Sequence, residues 1–311
     1  MPAIDINRKS TNVIFDPEVS NEIITKTIEE SAIMQLAGKM SVNPEGKTWQ
    51  TIETDPEPEW VGETEVKPIG RFTFGKRTIT PYKMALIVPF SDEFLRDKKG
   101  LYDECVSRVP KLFGKKFDKT ALGTVAPGTG FDVLGNSSQA TILADTTNHI
   151  DVYDRFLNVD ATIGAADGIM SGIALAPQGR SIVLGAKDGN NHPLFTPGVE
   201  SGQLGNILGA AVSVKKGVYK AGTAPAGEGD TGTPAIVGIA GDWDEAKWGT
   251  IGTLTGSISN EATLVEGTGA NQTTINLWQQ NMFAVRFEIE FAFMVKNANA
   301  FVLLTGETPA A

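Results

Sequence analysis

The clearest pattern in the chain lies near its C-terminus, in FAVRFEIEFAFMV, residues 283–295. Every odd position is apolar, and four of them are phenylalanines: Phe283, Phe287, Phe291 and Phe293. The even positions include Arg286, Glu288 and Glu290. Period-two alternation predicts a strand with one buried face. At about 3.3 Å per residue it would span roughly 43 Å, about twice the usual strand.

The second pattern is helical. Leu101, Cys105, Val109, Leu112, Phe113, Phe117 and Ala121 recur at three- and four-residue steps and predict a helix over 101–122. Pro110 lies inside it and is expected to kink it. Val152, Phe156, Val159 and Ile163 predict another helix. Asp16-Pro17-Glu18 reads as a helix start, and Val19, Ile23, Ile24 and Ile28 carry a stripe to about residue 37, before Gly38. Residues 1–15 read as a polar arm. Residues 83–91 form an apolar strand, and Ser91 with Asp92 and Glu93 opens a short helix.

Residues 44–80 are polar, rich in Pro and Gly, and alternate in places. They predict a long two-stranded hairpin with a thin hydrophobic face. An isolated hairpin is marginal, so this one must lean on something else. Its tip carries Asp55, Glu57, Glu59, Glu63 and Glu65 without an intervening base, and one tryptophan, Trp60. Residues 123–147 read as loop with a short strand, 171–275 as short helices and strands, and 221–235 as an exposed loop.

Composition narrows the function. The 311 residues carry a formal net charge of -10, which argues against nucleic-acid binding as the main activity. Cys105 is the single cysteine, so there is no intrachain disulfide or thiolate metal cluster. It lies on the apolar stripe and reads as a core residue. The first residues lack the apolar core of a signal peptide, and no stretch approaches the roughly 20 apolar residues of a membrane span; a soluble chain made in a cytoplasm, with no membrane contact, is expected.

No set of catalytic, cofactor-binding or metal-binding residues emerges. His149 and His192 have no partner at metal-ligand spacing and read as loop residues. GRFTFGKRT, residues 70–78, follows a P-loop only as far as Gly75-Lys76. Arg77 stands where Ser or Thr must hold magnesium, and alternation runs through the segment. The bases do cluster: Lys111, Lys115 and Lys119 repeat every four residues, with Arg108 and Lys116 beside them. That is either a solvated helix face or a surface for a polyanion or an acidic partner.

Several segments together resemble a known family. EWVGETEVKPIGRFTFGKRTITPYKMALIVPFSDEFLRD, residues 59–97, resembles the extended-loop hairpin and following strand of tailed-bacteriophage major capsid proteins. The 101–122 helix with GTVAPGTGFDVLG after it looks like that family's spine helix and glycine loop. GRSIVLGAKDGNNHPLF, LGNILGAAVSV, GDWDEAKWG and QQNMFAVRFEIEFAFMVKNANAFVLLTG follow in the family's order. Asn191 departs from it, standing where Gly is usual.

The resemblance implies an α+β fold of the Hong Kong 97 type. Its parts would be an N-terminal arm (1–43), the extended hairpin (44–80), a first part of the peripheral domain (81–147), an axial domain (148–275) and a peripheral C-terminal strand (276–311). The implied function is that of a structural major capsid protein, not an enzyme. It would self-assemble as pentamers and hexamers into the icosahedral head of a tailed phage that encloses double-stranded DNA, assembled in the host cytoplasm. The alternatives are an encapsulin-type compartment shell and an α+β enzyme.

Implied partners are other copies of the chain, a portal, and packaged DNA by weak contact. Many family members carry a longer scaffold-like N-terminal segment. Only residues 1–43 precede the hairpin here, so a separate scaffolding protein, or none, is expected. The hairpin would lie on a neighbouring subunit, with Trp60 as apolar anchor and Glu57, Glu59 and Glu63 facing Lys98 and Lys99. Arg108, Lys111, Lys115 and Lys119 would face the lumen. The family's Lys–Asn cross-link, for which Lys67 with Asn297 or Asn299 would be the candidates, is not expected, because no buried glutamate is marked beside them.

Overall fold

The computed structural model describes residues 26–28, 30–54, 56–64, 66–145, 147, 150–188, 190, 192–195, 205–226, 231–267 and 272–309. In chain order the helices are α1 (Ala32–Leu36), α2 (Asp92–Asp97), α3 (Lys99–Ala121), α4 (Val152–Gly164) and α5 (Pro177–Gly185). The strands are β1 (Gly38–Lys39), β2 (Lys47–Thr54), β3 (Thr73–Ile79), β4 (Tyr82–Ser91), β5 (Ser138–Thr141), β6 (Gly172–Leu175), β7 (Ala211–Val214), β8 (Ile236–Gly241), β9 (Ala246–Ser259), β10 (Thr263–Glu266), β11 (Thr273–Asn276), β12 (Met282–Val295) and β13 (Phe301–Thr305).

The alternating C-terminal stretch is β12, and its whole odd face is buried. β12 lies between β4 and β9, antiparallel to both, in a sheet ordered β1-β9-β12-β4. Helix α3 covers that face. The Phe117 ring lies 5.3 Å from Phe291 and 5.8 Å from Phe293, with Phe131 beside them. At the other end Phe283 meets Phe90 and Tyr102. Each buried phenylalanine contributes about 1.5–3 kcal/mol relative to exposure.

The packed stripe of α3 is rotated from the predicted one. Tyr102, Val106, Val109, Phe113, Phe117 and Ala121 face the sheet, whereas Leu101 and Leu112 are half-exposed at 48% and 53%, and Cys105 is only half-buried. Seven apolar residues cover more than the one face a flat sheet can bury. The helix runs through Pro110 without ending.

The charged face of β12 is divided. Glu288 and Glu290 each lie 3.8 Å from Lys83 on β4, and Arg286 lies 3.3 Å from Glu288. Toward the C-terminal end Ala292 and Met294 are buried against Met40, Val42 and Ile79. One end of the strand is therefore covered on both sides, which its alternation does not announce.

A second sheet, ordered β5-β13-β8-β6-β7, packs against α4 and α5. Val152, Phe156, Val159 and Ile163 are all fully or nearly buried there, as their spacing predicts. The Asp154 side chain accepts the Asp151 backbone N–H (3.4 Å) at the start of α4.

These sheets cut across the domain bounds expected from sequence. β9 falls within 148–275 but pairs with β12, and β13 falls within 276–311 but pairs with β8. β5, within 81–147, also joins the second sheet. The chain crosses between these sheets after β4, after β8 and again after β12, and such long-range pairing leaves no local trace.

The N-terminal helix also departs from expectation. Its start at residue 16 lies outside the described residues. Residues 26–28 and 30 are helical, but Ser31 is extended (φ −90°, ψ 125°) and ends the run. The Ser31 hydroxyl accepts the Met34 N–H and so caps α1. The cause is Asp118, buried on α3. Its carboxylate accepts from Ser31 Oγ (2.5 Å), Ala32 N–H (3.0 Å) and Ile33 N–H (3.4 Å). Gly217, in the short 3₁₀ turn Lys216–Val218, closes the other side; a Cβ there would lie 3.0 Å from Asp118. Burial pushes the Asp118 carboxyl up to about 6, against those hydrogen bonds and the Lys215 charge, which pull it down.

Two outcomes follow from this packing. Phe117→Ala should cost about 3–5 kcal/mol in urea unfolding, whereas Leu112→Ala, on the same predicted stripe, should stay within about 1 kcal/mol. The Asp118 carboxyl holds its proton more tightly in the fold than in the unfolded chain, where 3.8 is ordinary. Its contribution is therefore fullest below pH 3.8 and is lost as pH rises through about 6. Unfolding at pH 4 and pH 7 should show wild type losing about 2 kcal/mol relative to Asp118→Asn. A pH-independent difference would show that the carboxyl is ionised throughout.

Candidate assembly interface

Residues 44–80 form the expected hairpin. β2 and β3 pair antiparallel from Lys47↔Ile79 to Thr54↔Thr73, with an irregularity near the far end. The stretch that follows a P-loop in sequence lies along this hairpin as extended chain, and β3 runs through Gly75, Lys76 and Arg77.

The base of the hairpin is held firmly. Arg77 donates to the carbonyl oxygens of Val295 and Lys296 at the end of β12, and lies 3.9 Å from Asp132. Asp132 in turn accepts the Val295 N–H (2.9 Å). Ile79 is buried with Met40 and Met294, and Lys47 Nζ lies 4.9 Å above the Trp49 ring. In the sequence Arg77 reads only as a flaw in a phosphate loop; in the fold it is the clasp that ties hairpin to sheet.

The far part is different. Residues 56–63 and 66–72 contain no strand, and Thr64 takes a left-handed turn (φ 74°). Gly70 closes on Pro56, where a Cβ would come within 2.5 Å. Trp60 is fully exposed (105%), and Val66, Ile69, Phe72 and Phe74 are exposed with it. Glu57, Glu59 and Glu63 are exposed too, and among the described residues none has an ion pair. The apolar surface is larger than the thin face expected from sequence. Val66, Ile69 and Phe72 escape a sequence reading because they sit among Pro, Gly and charges without a regular period.

The other predicted residues lie elsewhere. Lys98 is exposed between α2 and α3 and forms no ion pair among the described residues, and Lys99 opens α3. Lys111, Lys115, Lys116 and Lys119 are exposed along α3, while Arg108 pairs with Glu104 one turn away. Lys67 is exposed near the tip. Asn297 Nδ2 donates to the Ala166 carbonyl, and Asn297 Oδ1 accepts the Asn299 N–H, so Asn297 serves as a cap. His149 lies outside the described residues. His192 belongs to a turn around Asp188, whose carboxyl is held below its ordinary range chiefly by the His192 backbone N–H.

The geometry thus offers a clasped, projecting hairpin with bare apolar residues, on a body with two large sheets and the two-stranded β10-β11 ribbon. The model of the phage capsid family matches residues 11–306. The chain is 30% identical over 294 residues to "Probable major capsid protein gp17" of Mycobacterium phage D29, covering 94% of this chain and 89% of that protein. It is 22% identical to the major capsid protein of Staphylococcus phage 80alpha over 293 residues, covering 92% of this chain and 83% of that one. Among solved structures, a chain of Mycobacterium phage Adephagia superposes with a TM-score of 0.69 at 20% identity, covering 90% of this chain and 91% of that one. The capsid of an empty GTA particle matches at 14% identity and a TM-score of 0.60, covering 91% and 90%. The chain belongs to the phage capsid family, and it is a structural major capsid protein with the Hong Kong 97-like fold.

Proposed function

We propose that this chain forms pentamers and hexamers that close into the icosahedral head of a tailed phage around double-stranded DNA. The observation that carries the reading is the hairpin. Its base is clasped to β12, yet Trp60, Val66, Ile69, Phe72 and Phe74 stand in solvent. Exposed apolar residues grouped in this way mark a surface meant for a partner. The partner is the adjacent subunit of the same capsomer.

In this reading the four-stranded sheet with α3 is the peripheral part and the five-stranded sheet the axial part. Assembly proceeds in the host cytoplasm with a portal and a separate scaffolding protein. No Lys67–Asn297 cross-link forms, since Asn297 is already engaged as a cap. Packaged DNA is touched only weakly, because the chain is acidic on average.

On the neighbouring subunit, Trp60 should matter more than any single charge. Exposed ion pairs are worth about 0–1 kcal/mol each, whereas a buried interfacial tryptophan is worth about 2 kcal/mol or more. A shell repeats the contact many times, so a small loss per subunit impairs assembly. Trp60→Ala should lower particle yield at both low and high salt. Lys98→Glu with Lys99→Glu should lower it at low salt and recover as salt screens the repulsion. Wild-type yield from Trp60→Ala at both salts would refute the assignment.

A further inference from the structure

The lysines of α3 do not stand alone. The 3₁₀ turn Lys216–Val218 packs against the C-terminal half of α3, so Lys220 from this segment lines the same groove as Lys116 and Lys119. Gly123 and Gly217 form part of its floor. Residues 109–131 and 201–227 together hold Lys111, Lys115, Lys116, Lys119, Lys215, Lys216 and Lys220, against a single acid, Asp118. That acid is buried and turned toward α1. The chain as a whole has 27 bases and 37 acids, so this is a reversal of its balance.

Lys116, Lys119, Lys216 and Lys220 are exposed, and no ion pair among the described residues involves them. Elsewhere many cations are compensated: Lys83 by Glu288 and Glu290, Arg155 by Asp145, Lys296 by Glu245. Lys119 sits in the last turn of α3, where a cation complements the helix dipole. That accounts for one lysine, not for those delivered from a distant part of the chain.

We infer that this groove is a docking surface for the phosphate backbone of nucleic acid, with Lys116, Lys119 and Lys220 as its principal contacts. The inference rests on the reading of the chain as a shell around DNA. The lining contains no arginine, the side chain that fixes carboxylates by a bidentate fork. Lysines on flexible stems act as point charges and suit a sequence-independent, sliding contact. Placed on an acidic wall, such a groove holds the backbone locally while the surrounding surface repels it.

The test uses the full-length chain, short duplex DNA and fluorescence anisotropy over a salt series. Lys116→Gln/Lys119→Gln/Lys220→Gln should flatten the slope of log affinity against log salt by roughly two to three, at about 0.9 for each phosphate no longer neutralised. A control that removes the same charge outside groove and hairpin, Lys26→Gln/Lys187→Gln/Lys296→Gln, should leave the slope near wild type. Equal slopes for both triple variants would overturn the inference. So would tighter binding of polyglutamate than of duplex DNA, abolished in the groove variant, which would assign the groove to an acidic protein segment. Electron microscopy of the same preparations keeps the two readings apart. Shells without groove-dependent binding would refute only the groove, whereas a wild-type chain that forms no particles even when co-expressed with a scaffolding protein would refute the shell.

Discussion

The contact on which the structure depends is the phenylalanine face of β12 under α3. β4 and β9 are ordered by pairing with β12, and the hairpin is ordered at its base by Arg77 reaching the end of the same strand. Helix α3 is used on three sides. Phe113 and Phe117 meet the sheet, Asp118 holds the start of α1, and Lys116 and Lys119 face solvent. Successive residues on a helix point about 100° apart, so Phe117, Asp118 and Lys119 can serve three different neighbours within one turn.

The same contact explains how a subunit can be rigid and yet incomplete. Apart from scattered exposed residues such as Leu112, Val125, Ile169 and Trp278, the body buries its large apolar residues in three clusters. The hairpin does not: beyond its clasp it has neither a core of its own nor a cover from its own chain for Trp60 and Phe74. A two-stranded ribbon of this kind gains order from what it lies on. Incompleteness is what a self-assembling wall requires, because surface left bare on one subunit becomes the bond to the next.

Much of this is legible in the sequence, for identifiable reasons. β12 and α4 announce themselves because one-sided burial imposes a strict period, and the hairpin does so through its Pro and Gly punctuation and alternation. What stays hidden depends on contacts between distant residues. The break at Ser31 comes from Asp118, 87 residues away. The placing of β9 and β13 in opposite sheets comes from pairing with β12 and β8. Lys220 joins the α3 lysines only through the packing of a 3₁₀ turn. Leu101 and Leu112 mislead because an apolar residue at helical spacing is not obliged to be buried.

The central claim is that the body of the subunit is complete by itself while the hairpin tip is ordered only by another copy. Backbone amide exchange, read in the free subunit and in assembled shells, tests it most directly. The account predicts slow exchange in β12, β9 and α3 in both states. Across residues 56–72 it predicts fast exchange in the free subunit that becomes slow in the shell. Protection of 56–72 already present in the free subunit, or its absence from the shell, would contradict the account.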